Sequence, residues 1–227
     1  MGEEDQLLIR MRANPWFAGL TPGVQHQLLT EGRRQRLQAG EFLFRQDQAP
    51  GCFHGLVQGA LKVSTLRKDG KEAIVTVFEA GNWFGETSLL DGLSRTHDIS
   101  AVNSVEVLCI EPQLFDRLMN DNGFARAIAT LQAVHLRLVY TMLEDSMLRT
   151  TRARIARRLE HLARGDATRS PNQRYVIDIT QDALAMMLGI TRQTLALELK
   201  TMAAEGALVL KYRQLQIASL ERLRAIE

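Results

Sequence analysis

Residues 179–209 read ITQDALAMMLGITRQTLALELKTMAAEGALV. Thr180 stands where a helix cap is needed, and Asp182 falls in the first turn, where negative charge is favoured. Ala183, Met187 and Ile190 are spaced for burial with Leu184 and Leu188 beside them, and Gly189 suits a tight turn. Thr191 then caps a second helix whose buried side is Leu195, Leu199 and Met202. Two helices joined this tightly form the unit whose second member enters the DNA major groove. On a helical wheel, Gln193, Ala196, Leu197 and Lys200 face outward, and Arg192 reaches forward from the amino-terminal turn. Thr180, Thr191, Arg192, Gln193, Thr194, Ala196, Leu197 and Lys200 are therefore the expected DNA-facing set. Arginine bonds two acceptors on guanine, and glutamine does the same on adenine. Leu197 either meets a thymine methyl or tolerates exposure. Downstream, ALVLKYRQLQIASL (207–220) alternates as a β-hairpin wing would.

The charge agrees with a polyanion at this end. Residues 149–227 carry 14 Lys+Arg against 8 Asp+Glu, while residues 1–148 carry 14 against 18. A basic second part joined to a mildly acidic first part points to nucleic acid. Five arginines (149, 152, 154, 157 and 158) crowd the start of the basic part, where phosphates or acidic loops are both open partners.

Upstream, the pattern changes twice. Residues 6–31 read as short helices broken at Asn14-Pro15 and Thr21-Pro22. From about Arg36 to Ile110, short apolar or alternating runs are punctuated by glycines, which predicts a compact antiparallel β-roll or barrel. Asp69-Gly70 is a hairpin signal. After Pro112 the pattern is helical to about Arg164. Leu136, Val139, Tyr140, Leu143 and Met147 make one apolar stripe, with Leu131, Leu138 and Met142 round its side. A helix apolar on more than one face must touch two bodies: its own β unit and a second copy of itself.

One further stretch carries chemistry: FGETSLLDGLSRTHDISA, residues 84–101. Its Gly-Glu and Arg-Thr pairs either hold a phosphate or form a turn with an ion pair.

The order of β unit, long helix, helix-turn-helix and wing resembles the cyclic-AMP receptor protein and FNR family of bacterial transcription regulators. The likeness runs from about Phe17 to Leu223 and is most specific in FGETSLL…SRT and in ITQDALAMMLGITRQTLALELK. It implies an α+β fold: an amino-terminal antiparallel β-roll of the cyclic-nucleotide-binding, double-stranded β-helix type, a long central dimerisation helix and a carboxy-terminal winged helix-turn-helix. The expected domains are 1–148, with the helix at about 124–149, and 149–227. The resemblance also implies a homodimer on palindromic DNA, with RNA polymerase as a further partner of an activator. In the family's nucleotide-binding members the glutamate holds the ribose, and the arginine with its neighbouring hydroxyl holds the cyclic phosphate. Carried over by motif, these become Glu86, Arg95 and Thr96, with Gly85, Thr87 and Ser88 nearby and cyclic AMP or another cyclic nucleotide as ligand.

The sequence departs from the family at three points. His97-Asp98 follows the arginine and threonine where alanine is usual. The helix positions that offer Thr-Ser to adenine, counted back from Arg154-Ile155-Ala156, are Val139 and Tyr140, with Thr141 adjacent. The groove face has Gln193 and Leu197 in place of a carboxylate and a second arginine. A cyclic nucleotide, another effector, or regulation without a ligand all remain open at this level.

Other classes are disfavoured. Cys52 and Cys109 have no CxxC spacing and no histidine cluster beside them, so no metal site, iron–sulfur cluster or haem is expected. His26, His54, His97, His135 and His161 are scattered, without the close pairs that metal-dependent β-barrel enzymes use, and no GxSxG, P-loop or GxGxxG occurs. An enzyme is not expected. No signal peptide or membrane-length apolar run is visible, so the expected setting is the cytoplasm.

Overall fold

The computed structural model describes residues 2–165, 175–211 and 214–227. Part of the loop expected between 163 and 179, and the tip of the wing, lie outside the described residues. Pro15 and Pro22 each occupy a first helical turn, where a missing N–H is harmless. They divide the amino-terminal segment into α1 (Glu3–Arg12), α2 (Pro15–Ala18) and α3 (Pro22–Thr30), with Asn14 and Thr21 capping the last two.

The glycine-punctuated region folds as expected into strands. These are β1 (Arg33–Leu37), β2 (Phe42–Phe44), β3 (Phe53–Gln58), β4 (Ala60–Leu66), β5 (Glu72–Glu79) and β6 (Trp83–Phe84). The short helix α4 (Glu86–Asp91) precedes β7 (Asp98–Ala101) and β8 (Val105–Ile110). All pair antiparallel, in two sheets ordered β1-β8-β3-β6 and β2-β7-β4-β5. Gly70, at φ +83°, turns the β4–β5 hairpin. One core lies between the sheets around Leu56, Leu61, Phe84 and Val107; a second joins the roll to the flanking helices through Phe17, Phe53, Trp83 and Phe115.

Helix α5 (Pro112–Met119) leads into α6 (Asn122–Leu148), whose cap is Asp121. Phe124, Ile128 and Leu131 are buried against the roll. Beyond them Leu136, Val139, Tyr140, Leu143 and Met147 are 51–73% exposed, a continuous apolar stripe. The helical pattern does not run unbroken to Arg164. Arg149 is extended (φ −105°, ψ 151°), and Thr150 caps a separate helix, α7 (Thr151–Ala163).

The remaining elements are β9 (Val176–Ile177), α8 (Gln181–Leu188), α9 (Arg192–Ala204), β10 (Leu208–Lys211), β11 (Gln214–Ile217) and α10 (Leu220–Arg224). Strands β10 and β11 form the expected wing, and β9 completes its sheet. The buried face of α8 is rotated by one position from the expected one. Leu184, Ala185 and Leu188 are buried, while Ala183, Met187 and Ile190 are only partly so. Leu184, Ala185 and Leu188 join the core shared with α9 and the wing.

Arg158 on α7 links the two ends of the chain. Its guanidinium is 6% exposed and donates to the Val75 carbonyl of β5 at 3.1 Å, with the sulfurs of Met142 on α6 and Met187 on α8 alongside. No helix among the described residues is long and apolar enough to cross a membrane.

Gly55 pairs with Trp83 across β3 and β6, and a Cβ there would lie 2.8 Å from the indole. Trp83 is itself stacked on Phe17 and 1% exposed, so it has no room to retreat. Gly55→Ala is expected to cost about 1–3 kcal/mol, read as a lower urea midpoint at unchanged slope.

Candidate functional site

The backbone around Arg95 is held before its side chain acts. Arg95 N–H donates to the Gln48 carbonyl at 2.8 Å, and its own carbonyl accepts from Asp47 at 2.9 Å. The β2–β3 loop therefore clamps this residue from outside. The guanidinium turns inward and is 4% exposed. Nη1 donates to the Gly85 carbonyl at 2.9 Å and Nη2 to the Cys52 carbonyl at 2.8 Å, while its face lies 4.3 Å above the Phe44 ring. These contacts use two of the five N–H groups of a guanidinium.

The arginine thus holds two carbonyls of its own chain, and no Arg95–Glu86 ion pair forms among the described residues. Burial pulls the Arg95 pKa down, opposed by the nearby Cys52 and Glu86. Gly85 takes φ +94°, and a Cβ there would come within 3.1–3.2 Å of Arg95 Nη1, the Cys52 carbonyl oxygen and His54 Nδ1. Glycine is needed both for the turn and for the close approach.

Glu86 is 2% exposed. Its Oε1 accepts from Gln132 Nε2 at 3.0 Å and from His135 Nδ1 at 3.2 Å, both on α6. Its Oε2 is buried without a hydrogen-bond partner, as is His135 Nε2. Buried polar atoms are rarely left so, because each costs about 1–3 kcal/mol. Thr87 accepts a second bond from Gln132 at 2.9 Å. Ser88 is buried, with its hydroxyl 3.5 Å from the Ser94 carbonyl, and Thr96 bonds the His97 ring at 2.8 Å.

Gly85, Glu86, Thr87, Ser88, Arg95 and Thr96 all line one cavity of about 120 Å³, together with Phe44, Phe84, His97 and His135. Tyr140 and Thr141 are not in that lining. Tyr140 is 56% exposed, and the Thr141 hydroxyl bonds back to the Arg137 carbonyl. The α6 residue that lines the cavity is instead His135, with Gln132 beside it bonded to Glu86 and Thr87. Gln132 and His135 are three apart, so they share a helix face; their polar character next to the buried Ile128 and Leu131 was the available signal.

At the other end, Thr180 accepts from Ala183 N–H at 3.1 Å, and Thr191 from Thr194 N–H at 3.1 Å, so both are helix caps. Gly189, at φ +63°, makes the turn between α8 and α9. Arg192, Gln193, Thr194, Leu197 and Lys200 are exposed, and Ala196 is half-buried. Arg192 lies 3.6 Å from Asp182 in an exposed pair of the kind that contributes little and yields readily. Leu197 is 67% exposed, on the same face as Gln193 and Lys200.

The crowded arginines of α7 are otherwise engaged. Arg149 pairs with Asp145, Arg152 with Glu205 and Arg157 with Asp145 and Glu160, while Arg154 donates to the Leu188 carbonyl. Glu160, 4% exposed, also takes Arg164 and Arg224 at 2.8 Å each.

Cys52, His54 and Cys109 do not stand apart as their spacing suggests. Their ligand atoms lie within 4.8 Å of one another in the roll. His54 is buried and its pKa is lowered by desolvation, which favours the neutral ring.

Residues 34–122 match the family model of the cyclic nucleotide-binding domain, and residues 153–226 match that of the Crp-like helix-turn-helix domain. Among similar proteins, the CRP-like cAMP-activated global transcriptional regulator of Mycobacterium tuberculosis is 23% identical over 209 residues, covering 91% of this chain and 93% of that protein. The cyclic AMP receptor protein of Thermus thermophilus is 26% identical over 197 residues, covering 86% and 88%. The structure of FixK2 from Bradyrhizobium japonicum superposes with a TM-score of 0.77 at 19% identity, covering 86% of this chain and 97% of that one. With both domain matches falling on the roll and the helix-turn-helix just described, the chain belongs to the Crp/Fnr family of transcription regulators.

Proposed function

We propose that this regulator is a homodimer that binds a cyclic nucleotide in the roll cavity and palindromic double-stranded DNA through α9. One observation carries the effector reading: Glu86 Oε2, buried and without a partner, shares a cavity with Arg95. A carboxylate oxygen in want of a donor suits a ribose hydroxyl, and a guanidinium with N–H groups to spare suits the cyclic phosphate. Thr96 and Ser88 supply further hydroxyls, and Gly85 and Thr87 shape the wall. Effector domain and DNA domain divide at the break after α6, as 1–148 and 149–227.

The switch follows from how Glu86 is held now. Gln132 and His135 occupy its other oxygen, so a ligand settling on Glu86 rearranges contacts that belong to α6. The cavity, at about 120 Å³, is below the ~300–1,000 Å³ of typical ligand pockets. A whole nucleotide therefore enters only if these side chains withdraw, and α6 responds. A ligand that favours the withdrawn arrangement shifts the population toward it. The same cavity size favours a second reading, a small oxyanion in place of a nucleotide. In the dimer, Leu136, Val139, Tyr140, Leu143 and Met147 of two α6 helices pair. Tyr140 and Thr141 then sit at the seam, where the partner's cavity is within reach of a moved helix. The two α9 helices enter successive major grooves with Arg192, Gln193 and Lys200 forward and Thr180, Thr191 and Thr194 toward the backbone. Leu197 and Ala196 offer apolar contact to thymine methyls. An activator of this design works in the cytoplasm and also meets RNA polymerase.

Three measurements test this reading. Cyclic AMP, cyclic GMP and inorganic phosphate are titrated separately against the protein on a selected fluorescent palindrome at fixed salt. A nucleotide is expected to tighten DNA binding, and Arg95→Ala to weaken the nucleotide response about 10- to 100-fold through loss of a charged contact worth ~1.5–3 kcal/mol. A response to phosphate alone supports the second reading, and no response to any of the three removes the cavity from regulation. Leu143→Glu is expected to turn a sedimenting dimer into a monomer; a variant that stays dimeric places the seam elsewhere. Arg192→Ala should cost about 1–3 kcal/mol at a single base pair. Uniform weakening across sequences would instead assign Arg192 to phosphates.

A further inference from the structure

We infer that Cys52, His54 and Cys109 form a binding site for a thiophilic transition metal of the zinc class, set directly behind the effector cavity. The strand register builds it. His54 on β3 lies directly opposite Cys109 on β8, so their side chains share a face of the sheet. Cys52, just ahead of β3, brings its thiol to the same group. The three ligand atoms converge within 4.8 Å of one another. Ligands around a tetrahedral zinc stand about 3.6–3.8 Å apart, given bonds of ~2.0–2.3 Å, so small side-chain rotations close the site.

The pocket is preformed on the imidazole side. His54 is 4% exposed, with its ring stacked on Phe84 at 5.4 Å and set against Phe44 at 5.6 Å, and its Nδ1 is buried without a partner. Two sulfurs and one imidazole are a soft to borderline set that excludes magnesium and calcium and suits zinc. Glu111 lies beside the Cys52 thiol and is about half exposed, so a carboxylate or water can fill a fourth position from the solvent side.

A disulfide is the competing use of two nearby cysteines; both are free thiols in this structure, and the register pairs Cys109 with His54, not with Cys52. The Cys52 carbonyl is one of the two acceptors of Arg95, at 2.8 Å. A metal that fixes Cys52 therefore also fixes the arginine in its cavity-lining position.

The test uses the full-length protein, reduced and stripped with a chelator, without nucleotide or DNA, so it is independent of the effector reading. Zn2+ is titrated in competition with a chromophoric chelator, and Co2+ is added separately as a spectroscopic probe. The expected result is one Zn2+ per chain, and a Co2+ adduct with thiolate-to-metal charge-transfer absorption in the near ultraviolet. Cys52→Ser, at a half-buried position where serine is nearly isosteric, should keep the far-ultraviolet circular dichroism of the wild type. It should reduce the charge-transfer band to about half or less, one of two thiolates being gone, and weaken Zn2+ by more than about 10-fold. Wild-type protein that takes up no Zn2+, or a Cys52→Ser variant that matches wild type in both titrations, would overturn the site.

Discussion

A guanidinium almost wholly removed from water must find acceptors, and Arg95 finds them in two backbone carbonyls that lie 33 residues apart in the chain, Cys52 and Gly85. Much of the local architecture answers to that requirement. The β2–β3 loop folds back so that Gln48 and Asp47 clamp the arginine backbone while Cys52 presents its carbonyl. Gly85 takes a left-handed conformation that side chains disfavour, and a Cβ there would also crowd the guanidinium at 3.1 Å. Phe44 closes the remaining face. The result is a fixed cation at the floor of a cavity, with hydrogen-bonding capacity left over and a buried carboxylate across from it.

That carboxylate ties the cavity to the rest of the molecule. Glu86 belongs to the roll, yet both donors to its bonded oxygen come from α6. Further along α6, Met142 touches Arg158 of α7, and Arg158 reaches back to the Val75 carbonyl in β5 and to Met187 in α8. A chain of physical contacts therefore runs from the cavity wall to the helix preceding the recognition helix. Contacts alone do not make a switch; an element with two arrangements does. On the proposed reading α6 is that element, its exposed apolar stripe pairing with a second copy of the chain.

The fold was legible in the sequence wherever one periodicity dominated. The caps Thr180 and Thr191 and the buried Leu195, Leu199 and Met202 stand where the pattern puts them, and the amino-terminal helices break at Asn14-Pro15 and Thr21-Pro22 as read. Periodicity alone did not mark the break at Arg149, because the helical pattern runs on past Thr150; the family resemblance placed the helix end there, at about 149. Side-chain traffic across elements was hidden for a related reason. Nothing in the spacing of Glu86, Gln132 and His135 says that they meet, and the register that sets His54 opposite Cys109 follows from two strands more than fifty residues apart. The motif around Arg95 named residues that line one cavity, but it could not show that the arginine is already bonded to its own backbone.

The arginines of α7 show why charge counts must give way to geometry. A run of five near the start of the basic part looks like a phosphate-binding strip. In the fold, Asp145, Glu160 and Glu205 meet three of them, and backbone carbonyls take Arg154 and Arg158. Glu160 in particular sits buried among Arg157, Arg164 and Arg224, so much of the local positive charge is spent inside the carboxy-terminal unit. Among the described residues, Arg192 on α9 has only a solvent-exposed partner, and Lys200 on α9 and Lys211 on the wing are exposed. On the proposed reading, Gln193 and Leu197, where family members carry a carboxylate and a second arginine, shift what this helix offers a base edge toward amide and methyl contact.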